Sequence, residues 1–166
     1  MKKRLLSAAL ALVLAAACLA GCGAASEEKT VAKALGLEKL PAVTHISSYD
    51  SHGGFLGDGV SCIALTFEDD QLEQQLAADP DWNSLPADET VQALVWGVED
   101  GTVSTGPCLT DGDGQPLVPP VEKGCYRLID RHSDQQGDIL SRGSFNFTVG
   151  VYDAEARVLY CCELDT

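Results

Sequence analysis

The feature that most constrains the fold is an alternation of side chains in the last third of the chain. Residues 145–151 read Phe-Asn-Phe-Thr-Val-Gly-Val, with apolar residues at every second position. This is the pattern of a strand with one buried face. A second run, 157–164, places Val158, Tyr160, Cys162 and Leu164 on one parity. Because only the short turn 153–156 separates the two runs, we expect them to pair as antiparallel strands.

The remaining segments predict an α+β domain. A helix is expected over 26–35 and another from residue 69 or 70 to about 78, whereas 91–96 fits either a short helix or a strand. Further strands are expected over 43–49, 60–67 and 124–130. The stretch 97–122 contains five glycines and four prolines and is expected to be a loop. The predicted fold is one small domain, mainly an antiparallel sheet of about five strands with two or three short helices on one face.

The first 22 residues have the features of an export signal. Lys2, Lys3 and Arg4 precede the uncharged apolar run Leu5 to Leu19. At about 1.5 Å per residue, such a run is roughly 22 Å long, which is short for a ~30 Å hydrocarbon core and typical of a cleaved secretory leader.

The end of this leader, Leu19-Ala20-Gly21-Cys22, resembles the lipobox of bacterial lipoproteins. The resemblance implies that Cys22 carries the lipid and that residues 1–21 are removed. Cys18 is the other candidate, but no leucine stands in the three residues before it. We therefore predict a lipidated tether over 22–28, an extracytoplasmic domain over 29–166, and a location on the outside of the bacterial cell membrane.

The charge of the chain excludes one class of partner. It has 11 basic and 25 acidic residues, and no lysine or arginine lies between Lys39 and Lys123. Removing the three basic residues of the leader takes the formal net charge from −14 to −17. Nucleic acid is not an expected partner. The acidic surface serves either solubility or a cationic partner: a basic protein, a polyamine or a divalent cation.

Five cysteines lie in the predicted extracytoplasmic domain: Cys62, Cys108, Cys125, Cys161 and Cys162. Export allows disulfides to persist, and an odd number leaves at least one thiol free. Cys161 and Cys162 are adjacent and would point to opposite faces of a strand. We predict a Cys108–Cys125 bond at the base of the loop; the alternative is that all five cysteines are reduced and pack as small apolar side chains.

Two Asp-x-His strings are the main candidates for chemistry. Asp50 with His52, and Asp130 with His132, each stand at the end of a predicted strand. If their loops adjoin, the four side chains would form a zinc-like His₂Asp₂ site, with nearby aspartates in support. The alternative is that these residues are there because they favour turns.

Two weaker signals remain. Asp111-Gly112-Asp113-Gly114-Gln115, with Glu122 at the twelfth position, has some of the spacing of a calcium loop, but Pro116 replaces the turn glycine. Trp82 and Trp96 lie on either side of Pro86, and the stretch around Trp82 is the more loop-like of the two. A tryptophan in a polar loop either anchors a partner or covers its own core.

The sequence contains no complete catalytic motif. It therefore predicts a lipid-anchored, non-catalytic binding domain at the cell envelope that recognises a protein or a small cationic ligand. The alternative function is a metal-dependent hydrolase that uses Asp50, His52, Asp130 and His132. The cofactor that this alternative implies is a divalent metal. A structural or protective role is a third alternative.

Overall fold

The structure is a computed structural model that describes residues 26–53 and 57–166. Within these residues it contains three α-helices, one short 3-10 helix (Ile139–Ser141) and eight strands. The helices are α1 (26–34), α2 (Gln71–Ala77) and α3 (Glu89–Val95). The strands, in chain order, are β1 (Val43–Asp50), β2 (Gly59–Phe67), β3 (Asn83–Ser84), β4 (Val98–Asp100), β5 (Val103–Thr105), β6 (Gly124–Asp130), β7 (Asn146–Asp153) and β8 (Val158–Asp165).

Six of these strands form one antiparallel sheet in the order β1-β2-β8-β7-β6-β3. The predicted pairing of the last two strands is confirmed, since β7 and β8 pair antiparallel from Asn146–Asp165 to Asp153–Val158. The last strand along the chain, β8, lies between β2 and β7. The remaining two strands, β4 and β5, form a separate hairpin inside the segment expected to be a loop.

The α+β fold class is confirmed, but the helices cover both faces of the sheet. One face, called the α3 face, carries Cys62, Phe147, Val149, Val151, Cys162 and Leu164 and packs against α3. The opposite face, called the α1–α2 face, carries Leu65, Phe67, Tyr152, Leu159 and Cys161 and packs against α1 and α2.

The reason for this second layer lies in the small residues of β7. The alternation of side chains along β7 places Gly150 on the less apolar face of the strand. Gly150 is nevertheless buried. A Cβ atom at Gly150 would lie 2.7 Å from Trp82 Cη2 and 2.8 Å from Leu35 Cδ2. The small residue therefore admits α1 and Trp82 onto that face instead of exposing it to water.

The ends of the helices follow local sequence. The Asp88 carboxylate accepts a hydrogen bond from the Val91 N–H at 2.9 Å, which caps α3 and resolves the ambiguous segment 91–96 as a helix up to Val95. Ser48 Oγ in β1 donates to Glu27 Oε1 at 2.9 Å, which links the start of α1 to the edge strand of the sheet.

The leader and its two candidate lipid-bearing cysteines, Cys18 and Cys22, lie outside the described residues. Among the helices that are described, none has the length and hydropathy needed to cross a bilayer.

The predicted Cys108–Cys125 disulfide is wrong. The structure joins Cys62 in β2 to Cys162 in β8, which stand opposite each other with their Cα atoms 4.0 Å apart. Cys108, Cys125 and Cys161 are free thiols. Cys108 packs on the α3 face and Cys125 on the α1–α2 face, so the sheet itself separates them.

Candidate functional site

Both Asp-x-His strings lie at the same end of the sheet, but they do not meet. Asp50 ends β1 and Asp130 ends β6, with β2, β8 and β7 between them. Four strand spacings of ~4.8 Å separate the two strings by about 19 Å, whereas metal–nitrogen bonds are about 2 Å long. Within the described residues, no three His, Cys, Asp or Glu side chains form a metal-binding group. The predicted four-ligand zinc-like site is therefore wrong.

His52 instead lies between two carboxylates. Its Nδ1 is 2.7 Å from Asp50 Oδ1, and its Nε2 is 3.5 Å from Asp165 Oδ2 at the end of β8. Gly59 permits this approach, because a Cβ atom there would lie 2.7 Å from the His52 Cα atom. Hydrogen bonds from the His52 backbone N–H and imidazole lower the pKa of Asp50.

A chain of polar contacts continues from Asp165 across the sheet. Asp165 Oδ1 is 3.0 Å from Arg131 Nη1. Arg131 Nε donates to Thr148 Oγ1, and the Thr148 hydroxyl donates to Glu163 Oε1, both at 2.9 Å. These contacts supply hydrogen-bond partners to the hydroxyl of Thr148, which is fully buried. Because a buried polar group needs such partners, the contacts are explained as structural interactions.

His132 has a separate set of partners. Its Nε2 lies 3.0 Å from Ser144 Oγ, a contact that the sequence did not indicate, and its Nδ1 lies 2.9 Å from the Asp134 carbonyl oxygen. The backbone N–H of Phe145, next to Ser144, donates to Thr166 Oγ1 at 2.7 Å. That N–H is occupied and not free to stabilise an oxyanion beside the Ser144 hydroxyl. The contacts of His132 therefore tie the 131–145 segment together.

Asp130 anchors the same segment through an ion pair. Its Oδ2 is 2.7 Å from Arg142 Nη1, and its Oδ1 accepts the His132 backbone N–H at 3.0 Å. Burial raises the pKa of Asp130, but the hydrogen bonds from Arg142 and His132 outweigh burial, and the net pKa is lowered below 3.8.

We expect Asp130→Asn to lower the melting temperature at neutral pH. Because the pKa of Asp130 is depressed in the folded state, its stabilising contribution is present above the unfolded pKa and is lost as the pH falls through the folded pKa. The difference between wild type and variant should therefore shrink below about pH 4. Melting curves from pH 7 to 2 measure this, with the exposed Asp113→Asn as control. A difference that stays constant over that range would contradict the role of the carboxylate.

The candidate calcium loop is a hydrogen-bonded turn. Asp111 Oδ1 accepts the backbone N–H groups of Asp113 and Gln115 at 2.9 and 2.8 Å. The Asp111 N–H in turn donates to the Gln115 carbonyl at 2.9 Å. The aspartate is thus used by its own loop, as in an ordinary Asp-Gly turn.

An apolar pocket beside α3 has the features of a binding site. Its cavity is about 260 Å³ and is lined by Leu85, Pro86, Ala87, Gln92, Trp96, Gly97, Pro120 and Val121. We call it the α3 pocket. Gln92 and Trp96 are four residues apart, which places them on the same side of α3. The opposite wall comes from the end of the 97–122 segment.

The walls of the α3 pocket are fixed by hydrogen bonds. The Trp96 indole N–H donates to the Pro119 carbonyl at 3.0 Å, and Gln92 Nε2 donates to the Ala87 carbonyl at 2.7 Å. The Gly97 N–H donates to the Gln92 carbonyl at 3.0 Å. A ligand would therefore meet a site that is already ordered, which reduces the entropy cost of binding.

Exposed apolar residues continue from the pocket into the β4–β5 hairpin. This hairpin begins directly after Gly97. Val98 and Val103 are 36% and 64% exposed and are the large apolar residues that the described part of the chain leaves most open. Trp82, by contrast, is 8% exposed and belongs to the core. Of the two tryptophans, only Trp96 is therefore placed to contact a partner.

Two other cavities in the part of the chain that the structure describes are more polar. Two adjoining depressions between the segment after α1 and helix α2 have volumes of about 310 and 500 Å³ and share Lys39 and Gln75. Charged residues such as Asp69 and Asp79 line them. Because ligand pockets are mostly apolar with a few polar groups, the α3 pocket is the better candidate.

Comparisons with known proteins give no further guide to the site. No family model, curated protein or solved structure matches this chain. The function is therefore inferred from the geometry of the α3 pocket and from the sequence.

Proposed function

We propose that this protein is a lipid-anchored, extracytoplasmic binding protein that holds its ligand in the α3 pocket and catalyses no reaction. The observation that carries the proposal is the pocket itself. It is concave and mainly apolar, and one tryptophan and two prolines line it. The Gln92 amide N–H and the Trp96 indole N–H already hold the walls in place. A mainly apolar lining with few polar groups is the composition of a site that binds.

Two observations support the proposed location. The leader with Cys22 resembles a lipobox, and the Cys62–Cys162 disulfide is of a kind that persists in oxidising compartments. A diacylglycerol on Cys22 supplies two acyl chains, which is the arrangement needed for stable membrane anchoring. The net charge of −17 predicted after cleavage would repel anionic headgroups, so the lipid would be the main attachment.

Cys22→Ser is expected to abolish metabolic labelling by a tagged fatty acid and to release the protein from the membrane fraction. The matched control is Cys18→Ser, which changes the alternative cysteine of the same leader and should keep full labelling. Gel fluorescence of the labelled protein and fractionation measure the two effects. Undiminished labelling of the Cys22→Ser protein would contradict the anchor.

Binding in the α3 pocket is tested with neutral aromatic fragments such as indole and benzyl alcohol. The protein is the Cys22→Ser chain with its leader removed. We expect the fragments to shift the NMR signal of the Trp96 indole N–H and to leave that of the buried Trp82 unchanged. Trp96→Ala should weaken binding about tenfold, equivalent to ~1.4 kcal/mol.

The control for the fragment experiment is Gln75→Ala, which alters the polar depressions beside α2 but not the α3 pocket. This variant should bind the fragments as the parent does. Shifts that cluster around Gln75 and Lys39, or an absence of shifts at millimolar fragment, would contradict the proposed binding site.

A further inference from the structure

We infer that the α3 pocket receives an apolar side chain from a basic polypeptide segment, with Lys or Arg on both sides of the apolar residue. This inference rests on the proposed function and names the class of partner for the same site. Three features carry it: the carboxylates around the pocket, their excess over the single neighbouring lysine, and the apolar interior.

All but one of the charged residues that flank the lining of the pocket are acidic, the exception being Lys123. Glu89, Glu99 and Glu122 are exposed. Each lies within two residues of a lining residue, namely Ala87, Gly97 and Val121. Since consecutive Cα atoms are 3.8 Å apart, the backbone of each glutamate is within about 7 Å of the lining. Three separate segments therefore bring carboxylates to the surroundings of one pocket.

Within the described residues, Lys123 is the one basic residue next to these carboxylates in the chain, and the charge of Glu122 acts on it. No lysine or arginine occurs between Lys39 and Lys123. Lys123 is adjacent to Glu122, but its Nζ is 2.5 Å from Glu155 Oε1 in the turn between β7 and β8. Within the described residues, no ion pair involves Glu89, Glu99 or Glu122. Most of the negative charge around the pocket is thus without a neighbouring cation, and a basic partner would complement it.

The pocket itself selects an apolar group. A cavity of about 260 Å³ with Trp96, Pro86 and Pro120 in its walls accommodates one aliphatic or aromatic side chain. The exposed Val98 and Val103 add apolar surface on the hairpin that follows Gly97 in the chain. The Gln92 amide oxygen accepts no hydrogen bond from the described residues and is available to an N–H of the bound segment. A peptide supplies the apolar group, the N–H and the flanking cations together.

Charge disfavours the other occupants of such a surface. A second copy of this chain would bring the same uncompensated carboxylates to the interface, and like charges at close range oppose association. Anionic lipid headgroups and nucleic acid are repelled for the same reason. A neutral small molecule would use the apolar interior but would leave the three glutamates without a role.

The inference is tested by calorimetry with three synthetic peptides and the leaderless Cys22→Ser chain. The first peptide is Lys-Lys-Ser-Phe-Leu-Ser-Lys-Lys. The second replaces every lysine by glutamate, and the third replaces Phe-Leu by Ser-Ser. We expect the first peptide to bind, the other two to bind at least about tenfold more weakly, and raising the salt from about 0.05 to 0.5 M to weaken the first.

Variants of the protein locate the contact. Trp96→Ala and the triple variant Glu89→Gln, Glu99→Gln, Glu122→Gln should each weaken the first peptide about tenfold or more. The matched control is Glu38→Gln, Glu68→Gln, Glu73→Gln. It removes the same charge from exposed positions on or next to the elements of the α1–α2 face, and it should retain most of the affinity.

Each contrary outcome rules out a defined part of the inference. Equal binding of the lysine and glutamate peptides, or equal effects of the two triple variants, overturns the cationic class. If the Ser-Ser peptide binds as tightly as the first peptide, the claim that an apolar side chain enters the pocket is overturned. The protein would then bind cations only through a diffuse acidic surface. If no peptide binds but the neutral fragments still shift Trp96, this inference fails and the proposed function stands. If neither peptides nor fragments bind, both fail.

Discussion

Replacing both Cys62 and Cys162 by alanine is expected to lower the free energy of unfolding by about 4 kcal/mol. The bond joins residues 100 positions apart, and in the chain-entropy treatment a loop of that size is worth ~4.7 kcal/mol through its restriction of the unfolded chain. The effect is large compared with the whole stability of a typical domain, about 5–15 kcal/mol. Urea unfolding of the parent and the double variant measures it.

The control for the disulfide is Cys108→Ala with Cys125→Ala, which removes two sulfur atoms without removing a cross-link. These thiols are partly buried, so a loss of about 1 kcal/mol is expected from packing alone. The bonded pair is 5% and 0% exposed, and reductant should therefore act on it in urea and not in native buffer. Equal losses in the two double variants would contradict the Cys62–Cys162 pairing.

Gly150→Val is expected to destabilise the protein by about 3 kcal/mol, since overpacking a closed core forces neighbouring side chains to shift. The first atom of the new side chain would already lie 2.7 Å from Trp82 and 2.8 Å from Leu35. The consequence is partial displacement of α1 and Trp82 from the sheet. Thermal unfolding, together with the fluorescence of Trp82, reports both effects.

Gly143 provides the matched glycine for this experiment. Nothing lies within 4 Å of a Cβ atom built on it, and its φ angle is not in the left-handed region. Gly143→Val should therefore change the free energy of unfolding by less than about 0.5 kcal/mol. If Gly150→Val proves equally mild, the close packing of α1 and Trp82 over β7 is not as described.

The strands could be predicted because their side chains alternate, and a period of two is a local property of the sequence. The predicted strand over 124–130 coincides with β6, and the strand over 60–67 differs from β2 by one residue. The number of covered faces was harder to predict. The sequence alone does not show whether the space above Gly150 is filled by water or by a side chain such as Leu35. The sequence therefore favoured helices on one face of the sheet, whereas the structure has helices on both faces.

The candidate sites failed for reasons of topology. The Asp-x-His strings end strands β1 and β6, and only the strand order shows that three strands separate them. The Cys108–Cys125 pairing failed because proximity in sequence does not reveal which side of the sheet a side chain occupies. The α3 pocket combines residues from 85–87, 92–97 and 120–121, and no spacing rule connects these segments. Of its members, Trp96 alone could be singled out in advance.

The position of β8 affects how such a chain acquires its structure. Without residues 158–165, β1 with β2 and β7 with β6 are two separate pieces that share no backbone hydrogen bonds in the sheet. Joining them requires pairings between residues far apart in sequence. Such pairings form late in folding because closing the long intervening loop costs entropy. Ribosomal synthesis must deliver the final strand before the sheet can close. A nascent chain in this condition holds two separate pairs of strands, and it completes its six-stranded sheet only when β8 pairs with both β2 and β7.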